Sequence, residues 1–294
     1  MNPPPTTPQV LPLTTQDGCT IRATVYPTAQ PARAHLVVAG ATGVPQGYYR
    51  RFAEYASARG YRTMTLDYRG IGLSKPQSLR GFRMDYLDWA HQDLSAAVAA
   101  MPDDGLPLYM VGHSFGGHAF GLLPNHQRIA AFYTFATGAG WHGWMPPGEQ
   151  LRVRFLWHVL APLLTRWHGF LSWSKLGMGE DLPYGVYRDW KRWCSYPRYF
   201  FDDPLVAADM SRRFDQVRTP IIAANAVDDL WASPASRDAF MAGYRNAPVQ
   251  RVDLDPRQHG LKAIGHMGYF RREARPLWDE VLAWFSQLPT ASTT

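Results

Sequence analysis

The sequence is short of the residues and motifs that metal-binding, disulfide-stabilised and membrane-spanning proteins need. Its 294 residues include two cysteines, Cys19 and Cys194, whose spacing fits neither a disulfide framework nor a zinc site. Neither an H-E-x-x-H motif nor a phosphate-binding P-loop motif occurs. No apolar run approaches the ~18 residues that a membrane-spanning helix needs. We therefore expect no metal, no cofactor and no integral membrane segment.

The start of the chain lacks the basic region and the apolar core of a signal peptide. Residues 1–8 are mostly proline and threonine and are predicted to form a flexible tail. With so few cysteines, a cytoplasmic location is expected. The formal net charge is +6, but the basic residues are scattered and no nucleic-acid-binding motif occurs, so we expect no nucleic-acid partner.

Apolar runs rich in β-forming residues alternate with amphipathic stretches, which is the pattern of an α/β protein with a mostly parallel sheet covered by helices. The strand at residues 20–26 and the segment before it are expected to form an antiparallel pair. Strands are predicted at residues 20–26, 34–40, 61–67, 106–111, 129–136, 219–226 and 248–254. Helices are predicted at residues 47–59, 82–101, 150–167 and 273–288.

Residues 140–214 carry no strand pattern, but they contain seven of the chain's 11 tryptophans. Because strands resume after this stretch, we interpret it as a helical lid inserted into one domain, whose core comprises residues 1–139 and 215–294. The lid tryptophans are expected to pack against the core or to line an apolar pocket. A place at a membrane surface is a weaker alternative for the 150–167 helix. Its predicted buried side consists of Leu151, Phe155, Val159, Leu163 or Leu164, and Trp167.

A G-x-S-x-G motif occupies residues 112–116, with Ser114 at its centre. A predicted strand precedes it and small residues that can begin a helix follow it, which is the setting of a nucleophile elbow. A serine on so tight a turn needs neighbours without side chains, and Gly112, Gly116 and Gly117 meet that need. Ser114 is therefore the candidate nucleophile.

Residues 67–74, Asp-Tyr-Arg-Gly-Ile-Gly-Leu-Ser, resemble the D-x-R-G-x-G-x-S segment of α/β hydrolases. The resemblance extends from the strand at residue 34 to the final helix, and it is nearest to bacterial esterase-like and lipase-like members. It implies a mostly parallel, eight-stranded type of sheet flanked by helices. Gly70 and Gly72 also suit half of a dinucleotide-binding motif, but the third glycine is missing, so that reading is set aside.

The resemblance also implies a catalytic histidine and a catalytic acid. His266 lies in Gly-His-Met-Gly-Tyr-Phe, which is similar to the catalytic histidine loop of this superfamily, and His259 is the alternative. Asp229 follows the penultimate predicted strand at the position expected for the acid, and Asp228 is its alternative. The chain order serine, aspartate, histidine is that of an α/β hydrolase.

The oxyanion hole is predicted from backbone N–H groups. Phe115, directly after the nucleophile, is expected to supply one of them. The other is expected from Ala41 or Thr42, in a segment where Ala39-Gly40 replaces the usual His-Gly of the superfamily.

We therefore predict a serine hydrolase that cleaves an ester through an acyl-enzyme, acting on a small molecule with an apolar part. A thioesterase or a serine aminopeptidase-like enzyme is an alternative on the same fold. An aminopeptidase would need acidic groups near the lid, and Glu149, Glu180 and Asp181 are the candidates. The alternative outside enzymes is a non-catalytic binding protein on a hydrolase fold. The oligomeric state is left open, with a homodimer as one option.

Overall fold

The structure, a computed structural model, describes residues 7–288, so most of the predicted 1–8 tail lies outside the described residues. Its strands are β1 (Gln9–Thr14), β2 (Thr20–Tyr26), β3 (Ala34–Ala39), β4 (Tyr61–Asp67), β5 (Leu108–His113), β6 (Ile129–Phe135), β7 (Ile221–Ala226) and β8 (Val249–Leu254). They join in an eight-stranded sheet with the order β1-β2-β4-β3-β5-β6-β7-β8. The β1–β2 and β2–β4 pairs are antiparallel, and every pair from β4–β3 to β7–β8 is parallel. The prediction of a mostly parallel sheet with an antiparallel opening is confirmed.

Helices cover both faces of this sheet. They are α1 (Arg50–Ser57), α2 (Ser95–Ala100), α3 (Phe115–Phe120), α4 (Pro147–Phe155), α5 (Ala161–His168), α6 (Tyr184–Trp193), α7 (Ala207–Phe214), α8 (Pro234–Met241) and α9 (Arg275–Gln287). A π-helical turn, Trp89–Leu94, leads directly into α2, and a second one, Leu156–Leu160, joins α4 to α5.

Central strand β3 is buried along its whole length, because parallel strands have helices on both faces. Its side chains alternate between two apolar layers. Leu36 and Val38 belong to the layer that contains Phe52 of α1 and Trp278 of α9. Val37 belongs to the opposite layer, which includes α2, α3 and the helices between β6 and β7.

The helix predicted at residues 82–101 is shorter than expected, because it begins only at Trp89. Residues before it form turns, and the Asp88 carboxylate accepts a hydrogen bond from the Asp85 N–H at 2.9 Å. Gly185 of α6 packs so closely on this segment that an added Cβ would lie 1.7 Å from the Met84 carbonyl oxygen. A contact from a distant helix therefore fixes the non-helical backbone, and sequence periodicity does not reveal such a contact.

The chain leaves the sheet after β6 and returns at β7, and residues 140–214 form helices α4 to α7 between them. We call these residues the helical insertion. The prediction of the buried side of α4–α5 is wrong, since Leu151, Phe155, Val159, Leu163 and Trp167 are all exposed. Of that set only Leu164, the alternative to Leu163, is half-buried against the core. The buried side instead includes Val153, Leu156, Trp157 and Ala161. The segment is apolar on two sides, so its periodicity alone does not identify the packed one.

Candidate active site

Ser114 lies on a strained turn between β5 and α3. Its backbone φ of +53° and ψ of −109° fall in a region that side-chain-bearing residues rarely adopt, at a cost on the order of 1–3 kcal/mol. The turn is possible because its neighbours lack side chains. A Cβ on Gly116 would lie 2.0 Å from the Ala39 carbonyl oxygen, and one on Gly117 would lie 1.8 Å from Thr137 Oγ1. The tight turn presents Ser114 at the carboxyl edge of the sheet.

Three side chains from separate loops form a hydrogen-bonded series at this edge. Ser114 Oγ lies 3.1 Å from His266 Nε2, and His266 Nδ1 lies 2.9 Å from Asp229 Oδ2. Ser114 follows β5, Asp229 follows β7 and His266 follows β8. Because parallel strands end at the same edge of a sheet, residues far apart in sequence meet there.

The two neighbouring aspartates have different partners. The second oxygen of Asp229, Oδ1, accepts hydrogen bonds from the N–H groups of Trp231 and Ala232, each at 2.9 Å. Asp228 accepts from the N–H groups of Ile264 and Gly265 at 2.9 and 3.0 Å. Asp229 thus faces the ring of His266. Asp228 instead binds the backbone of the loop that carries His266.

The pairing of partly exposed His266 with buried Asp229 shifts the pKa of both side chains. Burial alone would lower the pKa of His266, but the charge of Asp229 and the hydrogen bond to it outweigh burial and raise the pKa. Burial would raise the pKa of Asp229, but His266 and the two backbone N–H groups outweigh it and lower the pKa. Asp229 is therefore an anion that favours a protonated neighbour.

Beside Ser114, the two candidate N–H groups of the 41–42 segment differ. The Ala41 N–H donates to Tyr49 Oη at 2.7 Å. The N–H groups of Thr42 and Phe115 donate to no group among residues 7–288. Thr42 also lines the cavity above Ser114. Ala41 was the first expectation for the oxyanion donor, yet its N–H already has a protein partner.

A buried hydrogen-bond series, which was not anticipated from the sequence, continues from Ala41. Tyr49 Oη donates to His113 Nδ1 at 2.9 Å, and His113 Nε2 donates to the His266 carbonyl oxygen, also at 2.9 Å. Burial lowers the pKa of His113 to about 3, so this ring is neutral, with one nitrogen donating and one accepting. The series ties the 41–42 segment to the loop that carries His266.

A cavity of about 460 Å³ lies above Ser114 and His266. Its walls are mainly apolar and come from the helical insertion, from the segment after β3 at residues 41–48, and from the loop after β7. The apolar side chains that line it include Met145, Val153, Trp157, Trp173, Met178, Trp190 and Trp231. A cavity of this kind suits an apolar group of a small molecule.

No aspartate or glutamate is among the residues that line this cavity within the described part of the chain. The three acidic candidates for binding an amine are engaged elsewhere. Glu149 accepts from Trp231 Nε1 at 2.8 Å, Glu180 accepts from the Gly72 N–H at 2.9 Å, and Asp181 accepts from the Ser174 N–H at 3.0 Å.

The other histidine candidate lies away from Ser114. His259 Nδ1 is 3.1 Å from Glu280 on α9, and it does not line the cavity. Within residues 7–288, no group of three or more His, Cys, Asp and Glu side chains is placed to hold a metal ion. The same range contains no helix that is long and apolar enough to cross a membrane.

Comparison with known families agrees with this geometry. A sequence profile of the serine aminopeptidase S33 family matches residues 30–192, which is more than half of the chain. The chain belongs to this family of α/β hydrolases. No curated protein sequence matches it.

Solved structures with the same fold cover almost the whole chain. Monoglyceride lipase from Saccharomyces cerevisiae, crystallised as a soluble variant with a substrate analogue, is 14% identical, with a TM-score of 0.67 over 98% of this chain and 97% of that one. A thioesterase domain from the curacin biosynthetic pathway is 14% identical, with a TM-score of 0.59 over 94% and 99%. An epoxide hydrolase from Vigna radiata is 14% identical, with a TM-score of 0.59 over 96% and 98%. At these identities the likeness establishes the fold only.

Proposed function

We propose that this protein is a serine hydrolase that cleaves esters with an apolar acyl group through an acyl-enzyme. The observation that carries the proposal is the 3.1 Å contact of Ser114 Oγ with His266 Nε2 beneath an apolar cavity. A serine within hydrogen-bond reach of a histidine, itself oriented by a carboxylate, is the arrangement of an activated nucleophile.

In the proposed reaction, His266 Nε2 takes the proton of Ser114 Oγ as that oxygen attacks the ester carbonyl carbon. The imidazolium then gives the proton to the leaving alcohol, and the acyl group stays on Ser114. Water, activated by the same histidine, releases the acid in a second step. Asp229 holds the Nδ1–H tautomer and stabilises the imidazolium, which is consistent with the raised pKa of His266.

The developing oxyanion is proposed to accept hydrogen bonds from the N–H groups of Thr42 and Phe115. Both groups lack a partner among residues 7–288, whereas the Ala41 N–H donates to Tyr49. Phe115 is also the first residue of α3, where backbone N–H groups favour negative charge. Loss of one such donor typically lowers kcat by about 10²–10³.

The substrate class follows from the lining of the cavity. Four tryptophans and the side chains beside them favour an apolar acyl group. The helical insertion, which supplies three of these tryptophans, is proposed to act as the lid. The absence of carboxylates from the described lining argues against a free amine as the recognised group, although the family is named for an aminopeptidase. A thioester of the same acyl group fits the same cavity. The cytoplasmic location and the homodimer stay predictions.

The proposal is tested by incubating the protein with a fluorophosphonate probe and locating the modified peptide by mass spectrometry. Time-dependent labelling at Ser114 is expected in the wild type and is expected to disappear in His266→Ala. Activity is then compared on an ester, a thioester and an aminoacyl amide, with Ser114→Ala as the control for background hydrolysis. We expect the ester to be cleaved fastest.

Two results would contradict the proposal. A folded protein that is not labelled would favour a non-catalytic binding protein, because the nucleophile would then be inactive. Faster cleavage of the aminoacyl amide than of the ester would instead show that the cavity recognises an amine, and the substrate class would be wrong.

A further inference from the structure

The outer side of the helical insertion carries a continuous row of large apolar side chains in contact with solvent. Their exposed fractions run from 43% for Val159 to 79% for Trp167. We call this row the exposed stripe; it consists of Leu151, Phe155, Val159, Leu163 and Trp167. Residues four apart lie on one face of a helix, and at 1.5 Å per residue the stripe is roughly 25 Å long. A contiguous apolar row of this kind marks a binding surface, whereas single exposed apolar residues do not.

The charges beside the stripe are basic. Arg152, Arg154 and Arg166 are exposed on the same helical segment. Lys175 and Arg80 are exposed next to its end, where Arg80 donates to the Trp167 carbonyl oxygen at 3.1 Å. The single acidic residue between positions 147 and 168, Glu149, is buried: one carboxylate oxygen accepts from Trp231 Nε1, and the other lies 3.5 Å from Arg152 Nη1. Arg154 and Arg166 form no ion pair among residues 7–288.

The opposite face of the same helical segment lines the cavity. Val153 and Trp157 line the space above Ser114, two residues after Leu151 and Phe155 of the exposed stripe. A helix with its side chains is about 10 Å across, so the cavity lies about one helix diameter from the surface that the stripe presents. Whatever binds the stripe therefore lies close to the site.

We propose that the exposed stripe binds the surface of an anionic lipid membrane, with α4 and α5 lying in the interface. An apolar face with aromatic and leucine side chains, flanked by arginine and lysine, is the composition of helices that lie in this plane. The apolar side chains enter the acyl boundary while the basic ones contact anionic headgroups, and attraction to such lipids is weakened by salt. A second copy of the chain is a poorer occupant, because two stripes would bring their basic flanks together.

The test is co-sedimentation of the full chain with vesicles of phosphatidylcholine, alone or mixed with phosphatidylglycerol. We expect binding to the mixed vesicles, weaker binding to phosphatidylcholine alone, and release at high salt. The variant with both Phe155→Ser and Trp167→Ser should bind the mixed vesicles at least about tenfold more weakly. The matched control is Leu205→Ser, because Leu205 is 74% exposed and lies outside the stripe.

A second variant, with both Arg154→Glu and Arg166→Glu, should lose the preference for phosphatidylglycerol. Each variant should unfold at the denaturant midpoint of the wild type, which shows that it is folded. Hydrolysis of a water-soluble ester should also be unchanged in every variant. The vesicle assay measures binding alone, so its outcome is separate from that of Ser114 labelling.

Equal vesicle binding by the wild type and the stripe variant would overturn the proposal. So would a dimer in lipid-free buffer that the stripe variant abolishes, combined with no vesicle binding by the wild type. That pair of results would make the stripe an interface between two copies of the chain.

Discussion

At the scale of single residues, buried groups outside the proposed triad connect the loops of the candidate active site. Tyr49 accepts from the Ala41 N–H and donates to His113, and His113 donates to the His266 carbonyl oxygen. One phenol thus links the loop beside the oxyanion position with the loop of the proposed base. Its hydroxyl is buried, so its two partners have no access to water as a substitute.

We predict that Tyr49→Phe lowers both stability and kcat. The ring would keep its edge-to-face contact with Phe270 at 4.8 Å, but the Ala41 N–H and His113 Nδ1 would be buried without partners. Each such loss costs about 1–3 kcal/mol. Denaturant unfolding measures the stability, and steady-state kinetics separates kcat from KM.

The control for this substitution is Tyr55→Phe. The Tyr55 hydroxyl bonds Asp279 at the surface, so its loss should change the free energy of unfolding by less than about 0.5 kcal/mol. If Tyr49→Phe were as neutral as Tyr55→Phe in both stability and kcat, the buried series would have no positioning role.

At the scale of secondary-structure elements, the helical segment from α4 to α5 has two apolar sides with different partners. Trp157 lines the cavity and is packed at 6.1 Å, centroid to centroid, against Trp173. Trp167, on the same segment, is 79% exposed. One element thus supplies both a wall of the site and an outer surface.

We predict that Trp157→Leu widens the range of accepted acyl groups. Removing part of the indole should raise kcat/KM for a bulky acyl ester relative to a short one by about tenfold, since small changes in an apolar pocket typically alter selectivity by that order. Trp167→Leu is the matched control and should leave the ratio unchanged. An unchanged ratio in Trp157→Leu would show that the acyl group lies elsewhere.

At the scale of the whole molecule, burial of neutral histidines makes stability depend on pH. Burial lowers the pKa of His113 to about 3 and that of His118 to about 4. Below the unfolded-state value near 6.5, the unfolded chain binds protons that the folded chain does not. The free energy of unfolding therefore falls as the pH falls from about 6.5 toward the folded-state values. Burial raises the pKa of Asp93 to about 6, which acts in the opposite direction.

We predict that His118→Gln reduces the loss of stability in acid. The amide can donate to the Gly138 carbonyl oxygen as His118 Nε2 does at 2.8 Å, but it does not titrate. The wild type should lose about 1.4 kcal/mol per pH unit more than the variant between about pH 6 and 4. Urea unfolding across this range measures the difference in the free energy of unfolding between the two proteins. The contribution of Asp93 is the same in both, so it does not affect this difference. Parallel curves for the two proteins would show that His118 titrates normally in the folded state.

The fold class and the residues of the candidate site could be predicted from the sequence, because they depend on short-range patterns. The elbow needs glycines at fixed offsets from Ser114, and buried parallel strands read as apolar runs. A residue that directly follows a parallel strand lies at the carboxyl edge of the sheet, so its position in the sequence also predicts its place in the fold. These patterns predicted that Ser114, Asp229 and His266 would meet, and the structure brings them together.

Other features depend on contacts between segments that are distant in the sequence. Folding decides whether Asp229 or Asp228 faces His266. It also decides which of the Ala41 and Thr42 N–H groups has a partner among residues 7–288. The packed side of α4 and α5 was predicted wrongly, because a helix that is apolar on two sides has the same periodicity whichever side is buried. Sequence thus determined which residues reach the carboxyl edge of the sheet. Tertiary packing decided their partners, because hydrogen bonds and burial belong to pairs of segments and not to one segment alone.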